Sequence, residues 1–362
     1  MHKNNNKIVS LDGWRAISII FVLLGHLGGN LPKTHPWHNF LDKYNFSLNG
    51  VQVFFVISGF LITTLLLKEK EKTQTVSIKK FYIRRFLRIF PVLYLYIFTV
   101  FLVDKTFGWH LPGYVYLKAI LYLNNFVYGG LAWALGHLWS LAVEEQYYLF
   151  WPWVAKKLNY KKALSFCILF IVFSAGMRVF IYKYGGHFNT NWVLAGFFTF
   201  ADIIMMGSAA AILYKYYGVK NIFKSKSSSY LLVVASIIAY TLMEVSARKM
   251  ILGFITVPLG ALIQSVSIII LIIYTIEKKS LFSWFLNTKV MVFIGVCSYS
   301  IYVWQQLFLL TQNKDFFPQS APQYWFSKFP VNIVMIFIVS TISYYFFERF
   351  FLKFKEKFSS VK

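Results

Sequence analysis

LDGWRAISIIFVLLGHLGG, residues 11–29, carries an apolar run from Ala16 to Leu24 broken only by Ser18. A window near 14–30 is long enough to cross a bilayer, which takes roughly 17 to 25 residues. No small-residue cleavage site follows, so the segment reads as a retained helix and not as a signal peptide. Further windows of that kind lie near 50–67, 87–104, 138–155, 163–183, 194–216, 230–246, 252–276, 290–311 and 329–352. The fold class expected is therefore all-α and integral to the membrane, a bundle of about ten transmembrane helices.

Composition agrees: 58% of residues are hydrophobic, 20% aromatic and only 14% charged, far from the balance of a soluble domain. A net charge of +24 raises the question of nucleic acid. Polyanion binders gather basic residues on one solvated face, whereas here they punctuate apolar runs, which excludes that partner. With the N-terminus inside, 26 of the 37 lysines and arginines fall at cytoplasmic positions, eight of them between 68 and 88. The positive-inside rule then puts both termini in the cytoplasm. No repeat and no composition shift marks a second region, so residues 1–362 are expected to be one membrane domain with no appended extracytoplasmic domain. The connection 105–137 contains a moderately apolar stretch, Tyr114–Tyr128, read as re-entrant or interfacial on the outer side. Cys167 and Cys297 both lie in spans, so no disulfide framework organises the chain.

Ionisable groups inside a membrane are costly, by about 3 kcal/mol or more each, and are functional candidates by default. Arg15 and His26 are eleven positions apart, which leaves them roughly 20° apart around the helix and about 16 Å apart along it. With Arg15 at the cytoplasmic edge, His26 is expected near the midplane, where an imidazole can take up and return a proton. The alternative is a packing histidine bonded to a neighbour. Ser58 and Gly59 in the second span are small residues that let helices approach. In FYIRRFLRIFP, 81–91, Arg84 and Arg88 are one turn apart and Arg85 lies beside them. This segment reads as an amphipathic surface element ending at Pro91. Its three guanidinium groups suit phosphates, or else anionic lipid. In HLWSLAVEEQYYLFWP, 137–152, Ser140, Glu144 and Tyr147 or Tyr148 share a face, with His137 a turn above. A carboxylate there needs a partner, and His26 or an arginine would serve. Asp202, Glu348 and Arg349 are read as structurally paired.

Taken together the segments resemble the membrane-bound acyltransferase family 3, which O-acylates cell-surface carbohydrates. The matching motifs are Arg15 with His26, FFVISGFLIT at 54–63, FYIRRFLRIFP at 81–91, HLWSLAVEEQYYLFWP at 137–152, SYSIYVW at 298–304 and SYYFFER at 343–349. They stand in the family's order over nearly the whole chain. The resemblance implies a bacterial cytoplasmic (inner) membrane enzyme moving an acetyl or other acyl group from acyl-CoA to a hydroxyl of a polysaccharide or lipid-linked saccharide, such as lipopolysaccharide O-antigen or exopolysaccharide. Acetyl-CoA is the donor it implies, and no metal. It makes His26 the catalytic base, with Arg15 and Glu144 beside it in the catalytic set. Arg85 and Arg88 are the arginines it implicates in donor binding, and Arg84 is added as a third phosphate ligand. Ser58, Ser140 and Tyr147 are further candidates. Two positions depart from the family pattern: Gln305 stands where many relatives carry histidine, and Phe200 where many carry arginine two residues before Asp202. The competing classes are a flippase for a lipid-linked saccharide, a non-enzymatic scaffold or sensor, and an acyltransferase with a non-sugar acceptor.

Overall fold

The computed structural model describes residues 9–44, 46–126, 132–184, 196–249, 251–309 and 325–358. Within these it is helical, with no strand. In lipid every backbone amide and carbonyl must find its partner inside the segment, which a helix achieves. The long helices are α1 (Val9–Asn30), α2 (Phe46–Thr73) and α3 (Ile78–Phe107). A short α4 (Gly113–Ile120) precedes α5 (Leu138–Lys157). Then come α6 (Tyr160–Tyr184), α7 (Phe197–Tyr216) and α8 (Lys226–Arg248). A π turn, Thr256–Gly260, leads into α9 (Ala261–Glu277), followed by α10 (Lys289–Phe308). Last is α11 (Val331–Ile342), which passes through a π segment, Ser343–Glu348, into α12 (Arg349–Glu356).

Nine helices among the described residues are long and apolar enough to span a bilayer. The tenth expected span is α5, whose 20 residues reach about 30 Å. It falls short in apolarity because Glu144, Glu145 and Gln146 interrupt it. The protein is thus a multi-pass membrane protein, and side chains such as Leu169, Val172, Leu231 and Phe346 stand exposed, as lipid-facing groups do.

One expectation needs correction. FYIRRFLRIFP does not end at Pro91: α3 runs through it to Phe107, where Gly108, at φ 66°, closes the helix. Proline removes one amide from the ladder, here the one that would serve the Leu87 carbonyl, and a helical bundle tolerates that loss. Two residues before the proline, Tyr299 of α10 donates from its hydroxyl to the Ile89 carbonyl at 2.5 Å and ties this stretch to a neighbour. α1 starts at Val9, ahead of the apolar run, and Asp12 and Arg15 pair within its first turns at 3.4 Å.

The stretch from Tyr114 forms α4, eight residues and too short to cross. Its Tyr114, Leu117 and Ile120 are exposed, as in an interfacial element; 127–131 lie outside the described residues.

The helices sort into two compact units, each assembled from separate stretches of chain. One comprises 1–18, 52–74 and 147–296; the other comprises 19–51, 75–146 and 297–362. In the first, α2 and α7 cross at Gly59 and Gly207. A Cβ on Gly59 would stand 1.9 Å from the Ile204 carbonyl oxygen, and one on Gly207 2.2 Å from that of Val56. Only glycine permits backbones this close. In the same unit Arg178 of α6 donates to Asp202 at 2.7 Å and to the Pro258 carbonyl at 3.0 Å. That is the structural pairing expected of Asp202, and its cation comes from another helix.

Candidate active site

His26, Arg84, Arg85, Arg88, Ser140 and Glu144 all belong to the second unit, while Arg15, Ser58 and Tyr147 belong to the first. The two histidine-bearing elements of the second unit meet through α10. His26 Nδ1 lies 3.3 Å from Gln305 Oε1. A carboxamide oxygen only accepts, so in this contact Nδ1 carries the proton and Nε2 is left with its lone pair. The ring stands edge-on to Trp133 at 5.9 Å, and the Trp133 indole donates to the Leu309 carbonyl at 3.0 Å. Gly25 allows the helix to reach this position, since a Cβ there would lie 2.3 Å from the Ser47 amide nitrogen. His26 is partly buried.

His137 is within electrostatic reach of His26. Its Nε2 donates to the Val303 carbonyl at 3.2 Å, which leaves Nδ1 as a buried acceptor with no partner among the described residues. Tyr302 donates its hydroxyl to the His137 carbonyl at 2.5 Å, so Ser140 must be the donor in its own 2.6 Å contact with Tyr302. The proton of Ser140 is thereby spoken for, and no base activates its oxygen as a nucleophile. Gln305 is fully buried, and its amide nitrogen likewise lacks a partner.

The arginines divide. Arg84 turns to the end of the chain, donating to the Phe358 carbonyl at 2.9 Å. Arg85 lies over the Phe81 ring at 5.7 Å and within electrostatic reach of Glu145 on α5. Arg88 interacts with Tyr299 on α10. Tyr299 in turn feels Glu348, Glu145 and Glu144, and Glu144 acts on both Glu145 and Tyr302. A chain of interacting polar groups thus runs from Arg85 and Arg88 through the two glutamates and two tyrosines to the ring system of His137 and His26. The hydrogen bond of His26 Nδ1 goes to Gln305, and Glu144 acts on the neighbouring Glu145 and Tyr302. Glu348 accepts from Ser300 at 2.7 Å, while Arg349 is exposed and lies over Tyr345.

In the first unit Arg15 holds Asp12, and Ser58 is half-buried beside the Gly59 crossing. Tyr147 is fully buried, with its hydroxyl 2.8 Å from Ser208 Oγ. Ser208 donates to the Ile204 carbonyl at 3.1 Å, so Tyr147 is the donor to Ser208 and ties α5 to α7. Sequence reading treated Gln305 as a departure and passed over Trp133 and Glu145. The amide directly after SYSIYVW was the available signal, since a buried glutamine in a span needs a partner.

A family model described as an acyltransferase domain matches residues 8–348. The peptidoglycan O-acetyltransferase OatA of Listeria monocytogenes is 27% identical over 94% of this chain and 55% of its own length. The O-acetyltransferase OatA of Staphylococcus aureus is 29% identical over 93% of this chain and 56% of its own. The chain therefore spans just over half the length of these curated relatives. No solved structure matches. With the matched region covering nearly every span and all the polar groups described above, the chain belongs to the acyltransferase 3 family of membrane O-acetyltransferases.

Proposed function

We propose that this protein takes an acetyl group from cytosolic acetyl-CoA and transfers it to a hydroxyl of a cell-surface glycan, with His26 as general base. The observation that carries the reading is the polar chain within one unit, which joins two guanidinium groups in the first half of α3 to a partly buried imidazole near the far end of α1. Arg85 and Arg88 hold the phosphates of the donor, and its thioester reaches His26. The Nε2 lone pair removes the proton from the acceptor hydroxyl as its oxygen attacks the thioester carbonyl. The carbon–sulfur bond then breaks, and the departing thiolate takes the proton from the imidazolium. Glu144 balances that transient cation through the low-dielectric interior.

His26 on the outward side of the span's centre suits an acceptor presented from outside. On the lysine and arginine distribution this is the extracytoplasmic side of the cytoplasmic membrane. Peptidoglycan is one candidate glycan, since the Listeria relative is named for it. The test uses the full chain in lipid nanodiscs with labelled acetyl-CoA and cell-wall or surface polysaccharide. Wild type transfers label and His26→Ala loses at least a hundredfold, the lower range for general-base catalysis. Full transfer by a normally folded His26→Ala would end the assignment.

A further inference from the structure

Among the described residues, Gln305 is the polar side chain that meets the His26 ring by a hydrogen bond, yet it lies outside the catalytic set expected from sequence. Its Oε1 lies 3.3 Å from Nδ1, and the residue is fully buried near the end of α10. The rest of its amide is uncommitted, for Nε2 has no partner among the described residues. A glutamine kept only to tie helices together would spend both ends of its amide on protein groups, as Gln146 does with Asn125 and the Tyr122 carbonyl. Gln305 instead gives one end to the imidazole and leaves the other open. A second open atom of opposite polarity, the acceptor Nδ1 of His137, belongs to the same neighbourhood.

We propose that Gln305 is a positioning residue that locks His26 in its Nδ1–H tautomer, aiming the Nε2 lone pair at the reacting hydroxyl. The inference rests on His26 being the base. A neutral imidazole in water exchanges its proton between the two nitrogens, and only the Nδ1–H form offers Nε2 as the base. A carboxylate in this place would do the same and add charge; a carboxamide fixes the tautomer while keeping the resting site neutral, which suits a membrane interior. The free N–H of the same amide is left to donate to an oxygen of the bound reactants.

The experiment is nitrogen NMR of the full chain in nanodiscs with ring-labelled histidine, His26 being assigned by difference from His26→Ala. Wild type shows protonated Nδ1 and bare Nε2. Gln305→Leu, close in size, shows a mixture of the two forms, and Gln305→Glu, which keeps an accepting oxygen, returns the single Nδ1–H form. Kinetically, Gln305→Leu lowers kcat at least tenfold and leaves KM for acetyl-CoA within twofold. A wild-type ring protonated at Nε2, or a tautomer unchanged by Gln305→Leu in a protein of native helicity, overturns the proposal. Acetyl transfer by wild type in the same preparation reports separately on the enzymatic reading: a locked tautomer without transfer removes that reading and leaves the contact standing.

Discussion

Arg84, Arg85 and Arg88 look alike in sequence, and side-chain contacts separate them. Arg84 is engaged with the Phe358 carbonyl, whereas Arg85 and Arg88 join the polar groups of α5 and α10. Charge-assisted bonds contribute about 1.5–3 kcal/mol each, so Arg85→Ala and Arg88→Ala are each expected to raise KM for acetyl-CoA by roughly tenfold or more. Arg84→Ala should leave KM within about twofold and instead free the C-terminal end, read as faster proteolysis there. Equal KM values for all three variants would return these arginines to lipid anchoring. Arg178 and Asp202 form the buried pair, with side chains 11% and 0% exposed. Arg178→Ala strands a buried carboxylate and should lower stability by roughly 3–5 kcal/mol. Arg178→Met with Asp202→Leu should recover most of that in thermal unfolding.

At the scale of helices, close approach is the determining quantity. Gly59→Val would drive a side chain into the Ile204 carbonyl, already 1.9 Å from an ideal Cβ. Backbone cannot yield as a flexible side chain can, so a cost of about 3 kcal/mol or more is expected. Reduced yield of folded protein in detergent would register it. Hydropathy alone displayed the helices: nine of the ten expected spans are long and apolar, and the remaining one is displaced by its own glutamates. Hydropathy could not display Pro91 within a continuous helix, because whether a proline ends a helix depends on the bundle around it. The contact with Gln305 crosses 279 positions, and no periodicity within either helix encodes it.

For the molecule as a whole, the charge distribution predicts which face looks inward, and that prediction can be checked without any assay of activity. Both native cysteines are buried and free, so neither should react with a membrane-impermeant maleimide in intact cells. On a cysteine-free background, Lys118→Cys, beside the exposed α4, should be labelled from outside, and Lys161→Cys only after the membrane is permeabilised. The opposite pattern would invert the topology. The interleaving of the two units along the chain bears on biogenesis. The unit that holds His26 takes in both 19–51 and 297–362, and Asn332 reaches back across 302 positions to Asn30. A nascent chain paused before α10 has already inserted its imidazole into lipid while the amide that meets it is still on the ribosome. The hydrogen bond between imidazole and amide therefore forms only once α10 has been threaded, long after α1 has entered the bilayer.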